Sequence, residues 1–181
     1  MINAMLRYPF LTPAVFSPQE CEQIIAAGAH YAPVYTSSEE ERRKLPQGVR
    51  RMMPSQDPLT QMAMQRILPV LKQVNQAHYH FQITGVEAPH FCTYQVGECS
   101  PWHHDFASDS CTNRKLTLLV FLSDPETFTG GQFHLYPSTP RELQKQGNLL
   151  VFPAYLMHQV KPVLSGVRYS FITWALGPPF S

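Results

Sequence analysis

Lys115-Leu116-Thr117-Leu118-Leu119-Val120-Phe121-Leu122 is a near-continuous apolar run that stops at the turn signal Ser123-Asp124-Pro125. A run of this length, bounded in this way, predicts a strand covered on both faces. Working outward, Phe81-Gln82-Ile83-Thr84-Gly85 alternates and stops at glycine, His90 to Gly97 reads as a second strand, and 101–106 as a third. On the other side, Gln132 to Tyr136 follows a Gly130-Gly131 turn, and Asn148 to Phe152, Gln159 to Val163 and Arg168 to Trp174 complete the set, with Ser165-Gly166 between the last two. Short strands at regular spacing after a helical beginning predict an α+β, mainly β, protein. Its expected core is a double-sheet jelly roll (a double-stranded β-helix) with flanking N-terminal helices.

Ser17-Pro18-Gln19-Glu20 is a helix start, with Ser at the N-cap, Pro next and Glu third. The helix predicted from it, Glu20 to His30, places Cys21, Ile24, Ile25 and Gly28 on one face. Asp57-Pro58 opens a second helix carrying Leu59, Met62, Ala63, Ile67, Val70, Leu71 and Val74 at helical period, with Pro69 a possible kink. Met62 and Met64 read as packing residues, and both helices are expected on the outside of a sheet. Residues 36–51 carry mixed charge without apolar periodicity, so they read as a surface connection, or as a lid over a pocket.

The 181 residues amount to one domain, 1–181, with a helical part over 14–80 and a jelly-roll core over 81–175. A formal charge of +1 offers no electrostatic footprint for nucleic acid or an anionic membrane. No stretch approaches the roughly 18 apolar residues of a membrane span. Met1 to Phe16 lacks the sustained apolar run of a signal peptide. The four cysteines include no C-x-x-C pair, which argues against a zinc ribbon and fits reduced thiols in the cytoplasm.

Within this frame, Trp102-His103-His104-Asp105-Phe106 gathers two imidazoles and a carboxylate. Along a strand, positions i and i+2 share a face, so His103 and Asp105 can meet one metal while His104 points away. A different register would make His104 the ligand. His158 supplies a second imidazole after the Phe152-Pro153-Ala154 corner. Two histidines and one carboxylate on one face leave open positions, which suits non-haem iron(II). Ten residues on, Arg168 carries a guanidinium that forks onto a carboxylate, so a diacid could chelate the metal at one end and meet Arg168 at the other. His30, His78, His80, His90 and His134 read as structural, with His134 a candidate pocket residue.

These stretches resemble the 2-oxoglutarate- and iron(II)-dependent dioxygenases of the prolyl 4-hydroxylase-like branch, over roughly residues 14 to 175. The likeness rests on Val15-Phe16-Ser17-Pro18-Gln19-Glu20-Cys21, Tyr94-x-x-Gly97 with His103-x-Asp105, and LLVFLSD (Leu118 to Asp124) with Gly130-Gly131-Gln132-Phe133. It continues through Gly147 to Phe152 and His158…Arg168-x-Ser170…Trp174. The resemblance implies His103, Asp105 and His158 as iron(II) ligands and Arg168 on the distal carboxylate of 2-oxoglutarate. It adds Tyr94 and Ser170 as co-substrate contacts, and Thr117, Leu119 and Phe121 as one pocket-lining face. Phe121 departs from the hydroxyl-bearing aromatic that the family often has near that position.

The implied reaction couples decarboxylation of 2-oxoglutarate by O2 to hydroxylation of an unactivated C–H bond in a prolyl residue, amino acid or peptide, with ascorbate a candidate reductant. Related halogenases carry a small residue at the position of Asp105, so hydroxylation is expected. Loops 36–54 and 106–113 are candidates for shaping the entrance, and the oligomeric state is left open. Two other readings are a non-catalytic or sensing metal-binding jelly roll, which needs no Arg168, and a cupin-type dioxygenase without co-substrate.

Overall fold

The computed structural model describes residues 8–34, 39–44, 46–106, 112–136 and 144–179. Helix α1 (Pro18–Gly28) starts as predicted: the Ser17 hydroxyl accepts from the Glu20 N–H and the Glu20 carboxylate accepts from the Ser17 N–H. These reciprocal bonds satisfy two otherwise orphaned donors. It ends two residues before the predicted His30. Helix α2 (Glu39–Lys44) is short. Helix α3 (Pro58–Val74) is capped by Asp57, which accepts from the N–H groups of Leu59 and Thr60, and it carries Pro69 internally. A π-helical turn, Asn75–Tyr79, follows. Among the described residues no helix is long and apolar enough to cross a membrane.

The strands are β1 (Phe10–Thr12), β2 (Pro33–Val34), β3 (Val49–Met52), β4 (Gly85–Val86), β5 (His90–Tyr94), β6 (Ser100–His103), β7 (Arg114–Phe121), β8 (Thr129–Gly130), β9 (Phe133–Leu135), β10 (Leu149–Pro153), β11 (His158–Val160), β12 (Val163–Ser165) and β13 (Arg168–Leu176). The main sheet runs β1-β10-β7-β13-β5-β3-β2, with β4 beside β13. Facing it are the sheet β6-β11-β9 and the pair β12-β8. This is the predicted double-stranded β-helix with flanking helices.

The central run behaves as its composition demands. On β7, Leu116, Leu118 and Val120 join Ile24, Ala63, Ile67 and Leu71 in a core between the helices and the sheet. The alternate residues Leu119 and Phe121 join Phe133, Leu135, Phe152, Val160 and Ile172 inside the barrel. Period-2 alternation thus feeds two hydrophobic cores from one strand, with Thr117 a polar residue on the barrel-interior face. Met62 and Met64 pack against the helix-side core, as expected.

Several expectations change. Phe81–Gly85 is not a strand, because the Asn75 side chain donates to the Phe81 carbonyl and accepts from its N–H, turning the chain back. Phe81 and Ile83 pack on the helix-side core instead, and pairing begins only at β4, against Ala175 and Leu176. Gln159 to Val163 splits at Lys161-Pro162, since proline has no N–H to give a ladder. The 36–51 segment is not simply a surface connection: Val49–Met52 is a strand between β2 and β5. The part 14–80 therefore contributes strands as well as helices. Residues 36–38, 45 and 107–111 of the two candidate entrance loops lie outside the described residues.

Candidate metal centre

His103 ends β6 and His158 opens β11, and the two are cross-strand partners. Their ring centroids lie 4.2 Å apart. The strand stops at His103, so Asp105 is not the next same-face residue of a ladder. It lies in a bend held by bonds from its own N–H (2.9 Å) and that of Phe106 (3.0 Å) to the Ala154 carbonyl. The predicted pairing of His103 with Asp105 holds, by way of this bend rather than strand parity. Asp105 is 5% exposed, with Oδ1 3.8 Å from His103 Nε2 and Oδ2 3.5 Å from His158 Nε2. One potential ligand atom from each of the three lies within 4.8 Å of the others.

Each imidazole is oriented from behind. His103 Nδ1 lies 2.7 Å from the Pro101 carbonyl oxygen, and His158 Nδ1 lies 2.9 Å from that of Leu156. A carbonyl only accepts, so Nδ1 carries the proton and the Nε2 lone pair faces the centre. Burial above all, with His158 adding to it, pushes the pKa of His103 down to about 4, which keeps it neutral and able to ligate. For Asp105, burial is the largest influence and opposes ionisation. The electrostatic influence of His158, Arg50 and His103 outweighs it, so the carboxyl lies below its ordinary range. The buried Trp174 indole N–H also favours the anion, although it has no acceptor at hydrogen-bond distance among the described residues. The Thr117 hydroxyl donates to Asp105 Oδ2 at 2.7 Å. Two imidazoles turned inward by their Nδ1 bonds and a buried carboxylate on one face fit iron(II).

A cleft opens beside this triad, lined in part by Tyr94, Leu119, Phe133, Arg168, Ser170 and Arg50. Arg168, 2% exposed, is the cross-strand partner of Tyr94 on β5, and its guanidinium carbon lies 5.2 Å from the Tyr94 ring centroid. Its Nη1 donates to the Ser170 hydroxyl at 3.3 Å, while Nη2 is buried with no partner among the described residues. Burial pulls the Arg168 pKa down, yet guanidinium stays charged. A buried cation with an unsatisfied donor is costly until an anion meets it. That orphaned donor fits the distal carboxylate of 2-oxoglutarate.

Of the predicted pocket face, Leu119 lines the cleft, Thr117 braces Asp105, and Phe121 lies in a smaller hollow with Arg168, Ser123 and Phe128. His104 is exposed, consistent with an outward face. His134 is not a pocket residue: on β9 it alternates with the buried Phe133 and Leu135, and so turns to the other face. Sequence reasoning missed Arg50, whose strand is too short to show a period.

Residues 89–176 match the family model described as the 2OG-Fe(II) oxygenase superfamily. A PKHD-type hydroxylase of Shewanella sp. strain MR-7 is 35% identical over 92 residues, covering 48% of this chain and 41% of that protein. The chain thus spans less than half the length of this curated relative. A prolyl hydroxylase from Trichoplax adhaerens, solved with a hypoxia inducible factor peptide fragment, superposes with a TM-score of 0.74 at 16% identity, over 93% of this chain and 83% of that one. A Pseudomonas putida prolyl-4-hydroxylase gives 0.72 at 17% identity, over 94% of each chain. The chain shares its fold with these solved structures, and on that fold it places two histidines and one carboxylate that could hold a metal ion. Over residues 89–176 the chain is similar to the 2OG-Fe(II) oxygenase superfamily, and curated relatives that it matches are PKHD-type hydroxylases.

Proposed function

We propose that this chain is a 2-oxoglutarate-dependent iron(II) hydroxylase acting on a C–H bond of an amino acid or a peptide, prolyl residues included. The observation that carries the reading is the buried Arg168, whose Nη2 has no partner among the described residues, in the same cleft as His103, Asp105 and His158. A metal barrel with a storage or sensing role has no use for a desolvated cation there. A dioxygenase that needs no co-substrate has none either.

In this reading His103, Asp105 and His158 hold iron(II), and Arg168 with Ser170 holds the far carboxylate of 2-oxoglutarate. Bound together with O2, iron and 2-oxoglutarate supply the oxidising power: 2-oxoglutarate becomes succinate and CO2, and one oxygen atom enters the C–H bond. The protein's own share is positional. Thr117 and the two backbone carbonyls fix the ligand atoms, Tyr94 walls the co-substrate, and Leu119, Phe133 and Val160 keep the cleft apolar and limit water. Residues 1–181 act here as one domain in which the part 14–80 braces the barrel 81–175. Ascorbate would serve as an accessory reductant.

Succinate formation tests this. The wild type, with iron(II), 2-oxoglutarate and an amino-acid and peptide extract, should form succinate together with a product heavier by one oxygen atom. Asp105→Ala should lose at least about 100-fold, as expected for a missing ligand. Equal rates in the two proteins would contradict the assignment.

A further inference from the structure

We propose that Arg114, held by Glu87, is a positioning residue for the Asp105 carboxylate, so that an ion pair which touches no metal sets the affinity of the centre for its metal. The proposal rests on His103, Asp105 and His158 as the ligand set.

Asp105 lies beyond the end of β6 and has no ladder to hold it, so its direction depends on the two peptide planes that flank its Cα. The first plane is held by the Asp105 N–H, which donates to the Ala154 carbonyl at 2.9 Å. The second carries the Phe106 N–H, which donates to the same oxygen at 3.0 Å, and the Asp105 carbonyl, which accepts from Arg114 Nη1 at 3.4 Å. In a trans peptide the N–H and C=O point in opposite directions, so the second plane is held at both ends. The Thr117 hydroxyl acts on the carboxylate itself, through Oδ2. Arg114 acts on the main chain that aims it.

A bond of 3.4 Å is long and weak alone, so it matters only where the guanidinium cannot drift. Arg114 Nε and Nη2 each donate to a different oxygen of Glu87 at 2.6 Å, and the guanidinium carbon lies 3.8 Å from the centroid of the fully buried Trp174 ring. Glu87 is fixed in turn. Its N–H donates to the Trp174 carbonyl at 2.9 Å, and its carbonyl accepts from the Thr173 hydroxyl at 2.7 Å. Restraint therefore runs from β13 through Glu87 and Arg114 to Asp105. The planar guanidinium makes this possible, because a fork through Nε and Nη2 leaves Nη1 directed elsewhere at a fixed angle. A lysine ammonium on its flexible stem has no such geometry. The Arg114 and Glu87 side chains are only 14% and 26% exposed, so solvent screens this pair less than a surface one.

The test is a cobalt(II) titration of the full chain without oxygen, followed by visible absorption, whose bands report the geometry of the ligands. The wild type should bind cobalt; if it does not, the metal centre itself is wrong and this proposal falls with it. Given wild-type binding, Arg114→Gln should weaken cobalt by about 10- to 100-fold, the range for lost outer support, and shift the bands. Glu87→Gln should act in the same direction by a smaller factor, because the fork loses its charge. Arg114→Lys should recover only part of the loss. Gly147→Ala, at a left-handed glycine, controls for stability alone: it should melt earlier yet bind cobalt as the wild type does. If Arg114→Gln is too unstable to titrate, Arg114→Lys and Glu87→Gln carry the same test. Three results would overturn the proposal: wild-type affinity and bands in the variants, a loss no larger than in Gly147→Ala, or full recovery with lysine.

Discussion

His103 and His158 face each other as cross-strand partners of β6 and β11, with ring centroids 4.2 Å apart and planes inclined by 53°. The metal centre is therefore built on sheet pairing. A register slip of one residue would turn either imidazole out of the barrel, so the ladder itself sets the spacing of two ligands. The third, Asp105, depends on local bonds instead, and those bonds can be tested one by one.

Thr117→Val removes the hydroxyl that donates to Asp105 Oδ2 while keeping the shape of the side chain. Loss of such outer support costs metal affinity by about 10- to 100-fold. A metal titration of the two proteins should show that loss, with little change in co-substrate affinity at saturating metal.

The partly buried His90 ring stacks edge-on to Trp174 with centroids 5.4 Å apart, and its Nδ1 has no partner among the described residues. Burial, more than the nearby Arg50 and Arg114, lowers its pKa from the ordinary 6.5 to about 4, and His103 shifts the same way without metal. The unfolded chain then binds more protons than the folded one. Stability in the metal-free protein should be full above pH 6.5 and decline as pH falls towards 4, each histidine adding up to roughly 1.4 kcal/mol per pH unit. His90→Asn should remove one proton's worth of that slope in denaturant titrations across the window.

Gly147 has φ +78°, and its carbonyl accepts the Phe16 N–H at 3.1 Å. A Cβ there would collide with the Phe16 carbonyl oxygen, and the left-handed backbone alone costs about 1–2 kcal/mol for an L side chain. Gly147→Ala should lower stability by at least that much in urea unfolding. The loss should fall on the docking of the start of α1 rather than on metal affinity.

Much of this arrangement was legible in the chain. His103, Asp105, His158 and Arg168 could be read because their chemistry is unusual and their spacing follows strand lengths. The run from Lys115 to Leu122 announced two cores because both of its faces are largely apolar. Arg50 was not legible, since β3 is a four-residue strand whose side chains are all partly exposed, and mixed charge there looks like a solvated loop. Phe81 to Gly85 misled for the opposite reason. Its alternation is genuine, but the Asn75 side chain, six residues back, takes the Phe81 backbone groups that a ladder would need.

The account depends most on Arg168 as the anion anchor of the cleft. Calorimetry of 2-oxoglutarate with the manganese(II)-loaded protein, wild type against Arg168→Ala, tests it most directly. Truncating one partner of a buried charge pair costs about 2–5 kcal/mol, so affinity should fall by at least roughly 30-fold, with metal affinity retained. Equal 2-oxoglutarate affinity in the two proteins would contradict the account.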